Sequence, residues 1–331
     1  MRVLFVIPGE ARGSSMIFAR RQAESLAREG VEVELFHLRS RTSPWVLGRE
    51  ALRFRRSVRS FDPQVIHAHF GTVSALFAAW AAPSRPLVIT FRGSDLNVSP
   101  SLRSVAGQVL SQIAALRAGR IVCVSRQLGQ RLWWRRGSIT ILPSGVDPDV
   151  FCPEPRSAAR GRLGWGDDAR VVLFNAGHDP VNKRLDLAQE AVRLTQGLLT
   201  RVRMEVLDGT TPPGRVPELL NAADCLLLTS DREGSPTVIQ EALACNLPVI
   251  SVDVGDTVER LCGVSCSAIV PREAAAIARE LTRVLGTPTR SDGRHKIAEF
   301  SAQRIAGELS RIYRELAAAP VKKTAWNTSP Y

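Results

Sequence analysis

Cys225-Leu226-Leu227-Leu228-Thr229-Ser230-Asp231-Arg232-Glu233-Gly234-Ser235-Pro236-Thr237-Val238-Ile239-Gln240-Glu241-Ala242-Leu243-Ala244 decides the fold class. Four apolar residues with no polar alternation read as a strand buried on both faces, which is the mark of a parallel sheet. Gly234 and Ser235 then let the backbone approach a ligand closely. Pro236 suits the first position of a helix predicted over 236–245. The next apolar run, Val249–Val252, returns to the sheet, so the segment is one β-loop-α-β unit. A helix that starts at the carboxyl end of a strand aims its free amides and positive dipole end at a crevice, an arrangement suited to a diphosphate. Glu233 lies just before this helix and Glu241 within its first two turns. They could accept hydrogen bonds from sugar and ribose hydroxyls. An acid complementing the dipole plus one solvated helix Glu accounts for the same spacing.

Outward from this segment the strand–helix alternation continues in both directions. Toward the C-terminus it predicts helices over 271–287 and 297–317. Toward the N-terminus it predicts strands at Val171–Asn175 and Val202–Leu207, with helices over 184–196 and 215–222. Residues 143–170 break the rhythm with four prolines and four glycines, the strongest boundary signal in the chain. Before it stands a second series of strands: Val3–Ile7, Val31–Leu38, Val65–Phe70, Leu87–Phe91, Arg120–Ser125 and Ser138–Leu142. Helices connect them, among them a basic one over Arg49–Phe61. The expected architecture is α/β with two Rossmann-like domains, 1–160 and 161–318. Their parallel sheets should face across a cleft, the last helix should pack back on the first domain, and 319–331 should form a disordered tail.

Composition sets bounds on partners. The 331 residues are 44% hydrophobic and 23% charged, the mix of a packed globular protein. No run of about 18 apolar residues suggests a membrane span. The N-terminal apolar run is too short for a signal peptide, so a cytoplasmic location is expected. Six cysteines show no C-x-x-C pair and no His partner at zinc spacing, which predicts neither disulfide nor structural metal. The net charge of +12 is uneven. Residues 1–145 carry 21 Arg, no Lys and eight Asp or Glu, a balance of +13. An anionic membrane surface, nucleic acid or plain solvation could each account for it. No helix-turn-helix or aromatic recognition pattern supports nucleic acid. Arg53, Arg55, Arg56 and Arg59 among Leu52, Phe54 and Val58, and Trp133-Trp134-Arg135-Arg136, are the membrane candidates; core packing explains the tryptophans equally well.

Three further constellations stand at strand ends. Asn175-Ala176-Gly177-His178-Asp179 leads to Lys183 and Arg184 at a predicted helix start, where cations oppose the dipole unless an anion binds. Gly9 to Ser15 contains Gly13-Ser14 but neither G-x-G-x-x-G nor GK[ST]. His67 and His69 face one side of a strand, without a carboxylate or Cys at metal spacing. Arg92 and Asp95 follow the next strand.

Taken together these motifs resemble the retaining family-4 glycosyltransferases of the "group 1" type, which have the GT-B fold. Glu233 and Glu241 match the E-x7-E arrangement. Pro248-Val249-Ile250 and Gly255-Asp256-Thr257-Val258-Glu259 are similar to the stretch that follows it. Leu142-Pro143-Ser144-Gly145-Val146-Asp147 resembles the interdomain signature. The resemblance spans nearly all of residues 1–317. It implies that Glu241 binds the donor ribose, Glu233 the transferred sugar, and Lys183, with Arg184, the diphosphate. It further implies that Gly234, Ser235 and Thr237 line the sugar phosphate, with Gly13 facing the donor and Gly177 lying beside it. His69 and Arg92 would stand on the acceptor side. The implied activity is metal-independent, retaining transfer from a uridine or guanosine diphosphate sugar, without a cofactor, to a glycan or lipid-linked acceptor of surface polysaccharide synthesis. The enzyme could work peripherally on the inner membrane face. Arg92 stands where many relatives have His, His178 where many have Arg, and Asn246 where Gly is common. A nucleotide-sugar-binding relative without turnover, or an epimerase on the same fold, are the alternatives.

Overall fold

In the computed structural model, which describes residues 1–10, 16–39, 43–99, 101–134, 139–287 and 289–319, the buried apolar runs form two parallel sheets. The first half supplies β1 (Arg2–Pro8), β2 (Glu32–Leu38), β3 (Val65–His69), β4 (Leu87–Phe91), β5 (Arg120–Cys123) and β6 (Ile139–Ile141), in the order β2-β1-β3-β4-β5-β6. Its helices are α1 (Ile17–Arg28), α2 (Pro44–Phe61), α3 (Val73–Ala81), α4 (Leu102–Arg117) and α5 (Arg126–Gln130). The second half supplies β7 (Arg170–Gly177), β8 (Val202–Asp208), β9 (Cys225–Leu228), β10 (Val249–Ser251) and β11 (Ala268–Ile269), in the order β11-β10-β9-β7-β8. Around it lie α6 (Arg156–Leu163), α7 (Pro180–Lys183), α8 (Leu185–Gln196), α9 (Val216–Ala222), α10 (Thr237–Ala244), α11 (Thr257–Leu261) and α12 (Ala274–Gly286), and the described chain closes with α13 (Ala302–Ala318). In both sheets the order reverses beside the first strand, the place where such folds leave a ligand crevice.

Each sheet is covered on both faces, as continuous apolar strands require. One face of the first sheet packs against α2, α3, α4 and α5 through residues such as Phe36, Phe54, Phe77 and Ala115. The other face packs Val3, Phe5 and Val88 against Leu26 of α1 and Ile305, Leu309, Tyr313 and Leu316 of α13. The last helix of the chain thus lies on the first sheet. The crossing point is a bridge between Val146 and Ser301, where the Ala302 amide donates to the Val146 carbonyl at 2.7 Å. A Cβ on Gly145 would sit 2.6 Å from the Ala302 Cα, so only glycine fits beside the returning chain.

Several expectations shift. The proline- and glycine-rich span 143–170 contains a helix, α6, whose Arg160 is fully buried against Asp224 and the Ala222 carbonyl. The short β11 and α11 have too few residues to show a period. Pro236 caps α10 in an extended conformation rather than occupying its first turn. Arg135 and Arg136, and the tail from Pro320, lie outside the described residues. All six cysteines are free thiols. Among the described residues, no helix is long and apolar enough to cross a membrane.

Candidate functional site

The C-terminal wall of the cleft is built from two neighbouring loops. One links β9 to α10 and carries Glu233, Gly234 and Ser235. The other links β7 to α8 through the one-turn α7 and carries Asp179, Asn182 and Lys183. Backbone-directed bonds join them: the Asp231 amide donates to the Asn182 carbonyl at 2.8 Å, Asn182 Nδ2 to the Arg232 carbonyl at 3.0 Å, and Thr229 Oγ1 to the Lys183 carbonyl at 2.8 Å. This clamp places Lys183 Nζ on the Glu233 carboxylate, an ion pair that still faces the cleft. Ser235 Oγ donates to Asp256 Oδ2 at 2.7 Å and accepts from Gln240 Nε2 at 3.2 Å. Its hydroxyl is therefore spent on the wall, leaving the amide side for a ligand.

The N-terminal wall is assembled from distant segments. Arg92, just after β4, donates from Nε and Nη2 to His69 Nδ1 at 3.2 and 3.0 Å, and from Nη1 to Ser144 Oγ at 2.9 Å. A longer bond runs to Gln22 Oε1, and the guanidinium lies 3.8 Å from the Phe18 ring centroid. Among the described residues, no carboxylate lies within ion-pair distance of Arg92. Desolvation, opposed by Asp95, pulls its pKa down to about 9, so it stays charged at neutral pH. Asp95 is occupied by the amides of Gly71, Arg92 and Gly93, which fix the loop after β4.

His69 is fully buried between Phe5, Phe18 and His67. Burial, then His67 and Arg92, hold its pKa well below 6.5. It is a neutral acceptor for Arg92. His67 bridges Tyr313 OH at 2.6 Å and Thr90 Oγ1 at 2.7 Å, and burial lowers its pKa to about 3. The two histidines are thus parts of the packed wall, and α13 reaches the site through Tyr313.

The walls touch. Gly93 and Gly234 pack backbone to backbone: a Cβ on Gly234 would stand 2.0 Å from the Arg92 carbonyl oxygen, and a Cβ on Gly93 only 3.1 Å from the Gly234 nitrogen. Asn97 Nδ2 donates to the Glu233 carbonyl across the same seam at 2.9 Å. Above this contact opens a cavity of ≈ 510 Å³ lined by Arg92, Ser144, Lys183, Glu233, Gly234, Ser235 and Thr237, among others.

Not every residue singled out by sequence reaches that cavity. Glu241 lies on α10 outside its lining and accepts from Arg21 Nη1 of α1 at 3.0 Å. Burial raises its pKa, against the pull of Arg21. Arg184 is not at the cleft. It takes a left-handed conformation between α7 and α8 and turns to Asp186 at 2.9 Å and Asp231 at 3.5 Å, on a separate surface depression. Lys183 ends the short α7 and Arg184 caps the start of α8, so the pair does stand at a helix start, with Arg184 answered by Asp186 and Asp231. Gly177 is left-handed at a register shift in β7. It turns the chain so that Asn175 and Asp179, not Gly177 itself, line the cavity. Gly13 lies outside the described residues. Arg21, Gln22, Phe18 and Asn97 were missed, because each meets the site from far along the chain with no motif of its own, and Ser144 stood in the interdomain signature without a role. Among the described residues, no group of three or more His, Cys, Asp or Glu side chains is placed to hold a metal ion.

Comparison with known proteins matches residues 11–150 to the Glycosyltransferase Family 4 model and residues 167–304 to the Glycosyl transferases group 1 model. The putative teichuronic acid biosynthesis glycosyltransferase TuaC of Bacillus subtilis is 30% identical, over 77% of this chain and 72% of its own. The D-inositol 3-phosphate glycosyltransferase of Thermobispora bispora is 27% identical, over 78% and 73%. Anabaena HepE, solved in complex with UDP-glucose, superposes with a TM-score of 0.74 at 17% identity, covering 95% of this chain and 100% of that one. Sucrose-phosphate synthase from Thermosynechococcus elongatus superposes with a TM-score of 0.75 at 19% identity, covering 96% and 99%. At these identities the two structures establish the shared fold.

Proposed function

The chain belongs to the family 4, group 1 type glycosyltransferases, and from that premise we propose that it transfers a hexose with retention, without a divalent metal, from a uridine or guanosine diphosphate sugar. The observation that carries this reading is the meeting of Lys183, Glu233, the opening of α10 and Arg92 around one cavity. The bond between the sugar anomeric carbon and the diphosphate oxygen breaks, the acceptor hydroxyl oxygen bonds that carbon on the same face, and the acceptor proton passes to the departing diphosphate oxygen. Charge develops on the departing diphosphate, and pre-placed donors there lower the barrier. Lys183 leaves Glu233 for the phosphate, which frees the Glu233 carboxylate to accept sugar hydroxyls. Arg92 supplies a second fixed positive charge from the opposite wall. It acts as a charge and not as a proton carrier near neutral pH. The reading without a metal rests on these cations and on the α10 amides.

Glu241 receives the donor ribose, displacing Arg21. The acceptor is a glycan or a lipid-linked intermediate of surface polysaccharide assembly, reached at the inner face of a membrane. The relative TuaC, named for teichuronic acid biosynthesis, supports that class. Lys183→Ala and Glu241→Ala should each lower nucleotide release from a cognate donor sugar by about 10²-fold or more, while each variant still unfolds in one cooperative transition. A rate within about twofold of the parent for either variant, well under the loss expected of a donor contact, would overturn the site.

A further inference from the structure

α4 is turned inside out. Its face toward the core carries Ser111, Gln112, Ala114 and Ala115, all buried. Its larger apolar side chains face solvent: Leu102 is 92% exposed, Val105 46%, Val109 37%, Ile113 44% and Leu116 54%. They recur every three or four residues, so they form one stripe along the helix, and Leu110 widens it. A soluble helix normally shows the reverse, and a contiguous exposed apolar face marks a surface that something covers.

The surrounding charge says what. From Pro63 to Val146 the chain contains nine arginines, no lysine and one carboxylate, Asp95. Asp95 is buried under the amides of the cleft loop. The exposed side of α4 therefore offers apolar groups flanked by Arg103 and Arg117, with no acid on its own helix or on α3 beside it. Trp133, half-exposed, is fastened to the same helix: its amide donates to Gln112 Oε1 at 3.0 Å, and Trp134 Nε1 donates to the Gln112 carbonyl at 2.8 Å. Aliphatic groups, flanking arginines and a neighbouring half-exposed indole are the composition of an interfacial helix. A symmetric pairing of two α4 faces would oppose arginines without a compensating carboxylate.

We propose that the exposed face of α4 lays the N-terminal domain on an anionic lipid bilayer. The helix begins at a groove of ≈ 650 Å³ lined by Met16, Val73, Ala106 and Leu110. This groove shares Phe70, Ser94 and Ser104 with the donor cavity, so it joins the bilayer face to the cleft. The surface keeps Trp133 of the two candidates that the sequence suggested and replaces the basic helix α2 with α4. In α2, Phe54 and Val58 belong to the core, Arg53 serves Glu50 and the His37 carbonyl, and Arg55 binds the Ala81 carbonyl.

The proposal rests on the membrane part of the functional reading alone, and transfer to a water-soluble acceptor reports the rest separately. The test is co-sedimentation of the full chain with vesicles of equal parts phosphatidylglycerol and phosphatidylcholine, beside vesicles of phosphatidylcholine alone. The parent chain partitions onto the anionic vesicles and is released by salt. Val109→Gln/Ile113→Gln/Leu116→Gln weakens that partition by about tenfold or more, with unfolding temperature and donor turnover unchanged. A second variant, Arg103→Gln/Arg117→Gln, keeps the apolar stripe and loses the salt-sensitive part. Failure of the parent to bind, or unchanged binding by the triple variant, would overturn the proposal. So would a dimer in sedimentation velocity that the triple variant breaks, since α4 would then be covered by a second copy.

Discussion

The two walls of the cleft reach the same end by different construction. The C-terminal wall is local: two loops in one domain, joined by backbone bonds, hold Lys183 against Glu233. Its cation is compensated until a ligand arrives. The N-terminal wall gathers Phe18, Gln22, His69, Arg92 and Ser144 from four separate stretches, and its cation leans on neutral groups. A guanidinium held without a carboxylate keeps its field for the ligand, at the cost of desolvation that shows in its lowered pKa. A lysine in an ion pair must be released before it can act. One wall exchanges partners on binding and the other is already set.

The largest break in this comparison comes where the walls meet. Gly234→Ala puts a methyl group 2.0 Å from the Arg92 carbonyl oxygen. The obstruction is backbone, and Gly255 packs close on another side of the same loop, so no side chain can swing away. The walls must separate by an ångström or so, which is enough to cost about 10²-fold in kcat/KM. Steady-state kinetics beside a thermal melt would check it. Near-parent kcat/KM would mean that the walls need not touch for catalysis.

The same contrast explains what the sequence disclosed. Strand–helix alternation and the 225–244 segment revealed both sheets, because apolar runs and helix-start chemistry are local signals. Glu233, Gly234 and Lys183 were readable for that reason, being neighbours of strand ends in one unit. Arg21 carries no signal: its contact with Glu241 joins residues 220 positions apart. The placement of Arg184 could not be read, because its left-handed backbone, which turns the side chain toward Asp186, is invisible in composition. α4 shows a further limit of local signals. Its apolar residues recur at helical spacing, but periodicity does not say which face looks inward. That depended on the small residues that α3 and the sheet could accommodate.

A medium effect should separate fixed geometry from bare charge on the N-terminal wall. Arg92→Lys retains the positive charge but lacks the fork that spans His69 and Ser144. Turnover should fall about ten- to a hundredfold, roughly 1.4–2.8 kcal/mol of transition-state stabilisation, while donor KM changes little. If Lys restores parent kcat, charge alone suffices and the preset wall is unnecessary.

The smallest effect should come from His69, and it asks whether this buried imidazole moves a proton. Its Nδ1 accepts from Arg92, and burial keeps the ring neutral well below pH 6.5. Above that range no protonation change occurs at His69, so it should add no inflection to kcat/KM between about pH 6.5 and 8. His69→Asn can present an amide oxygen close to the Nδ1 position and keep the bond to Arg92. Activity within about threefold of the parent is the range expected for a retained hydrogen bond, and the pH profile should overlay. The sign is one-directional: because the folded pKa is lowered, acid charges the unfolded chain first, and any His69 contribution to unfolding appears as stability lost below the ordinary imidazole pKa. A loss beyond about 10²-fold for His69→Asn, of the size typical for a missing general base, would instead assign His69 the proton. The N-terminal wall would then be a chemical participant rather than a fixed charge held in place.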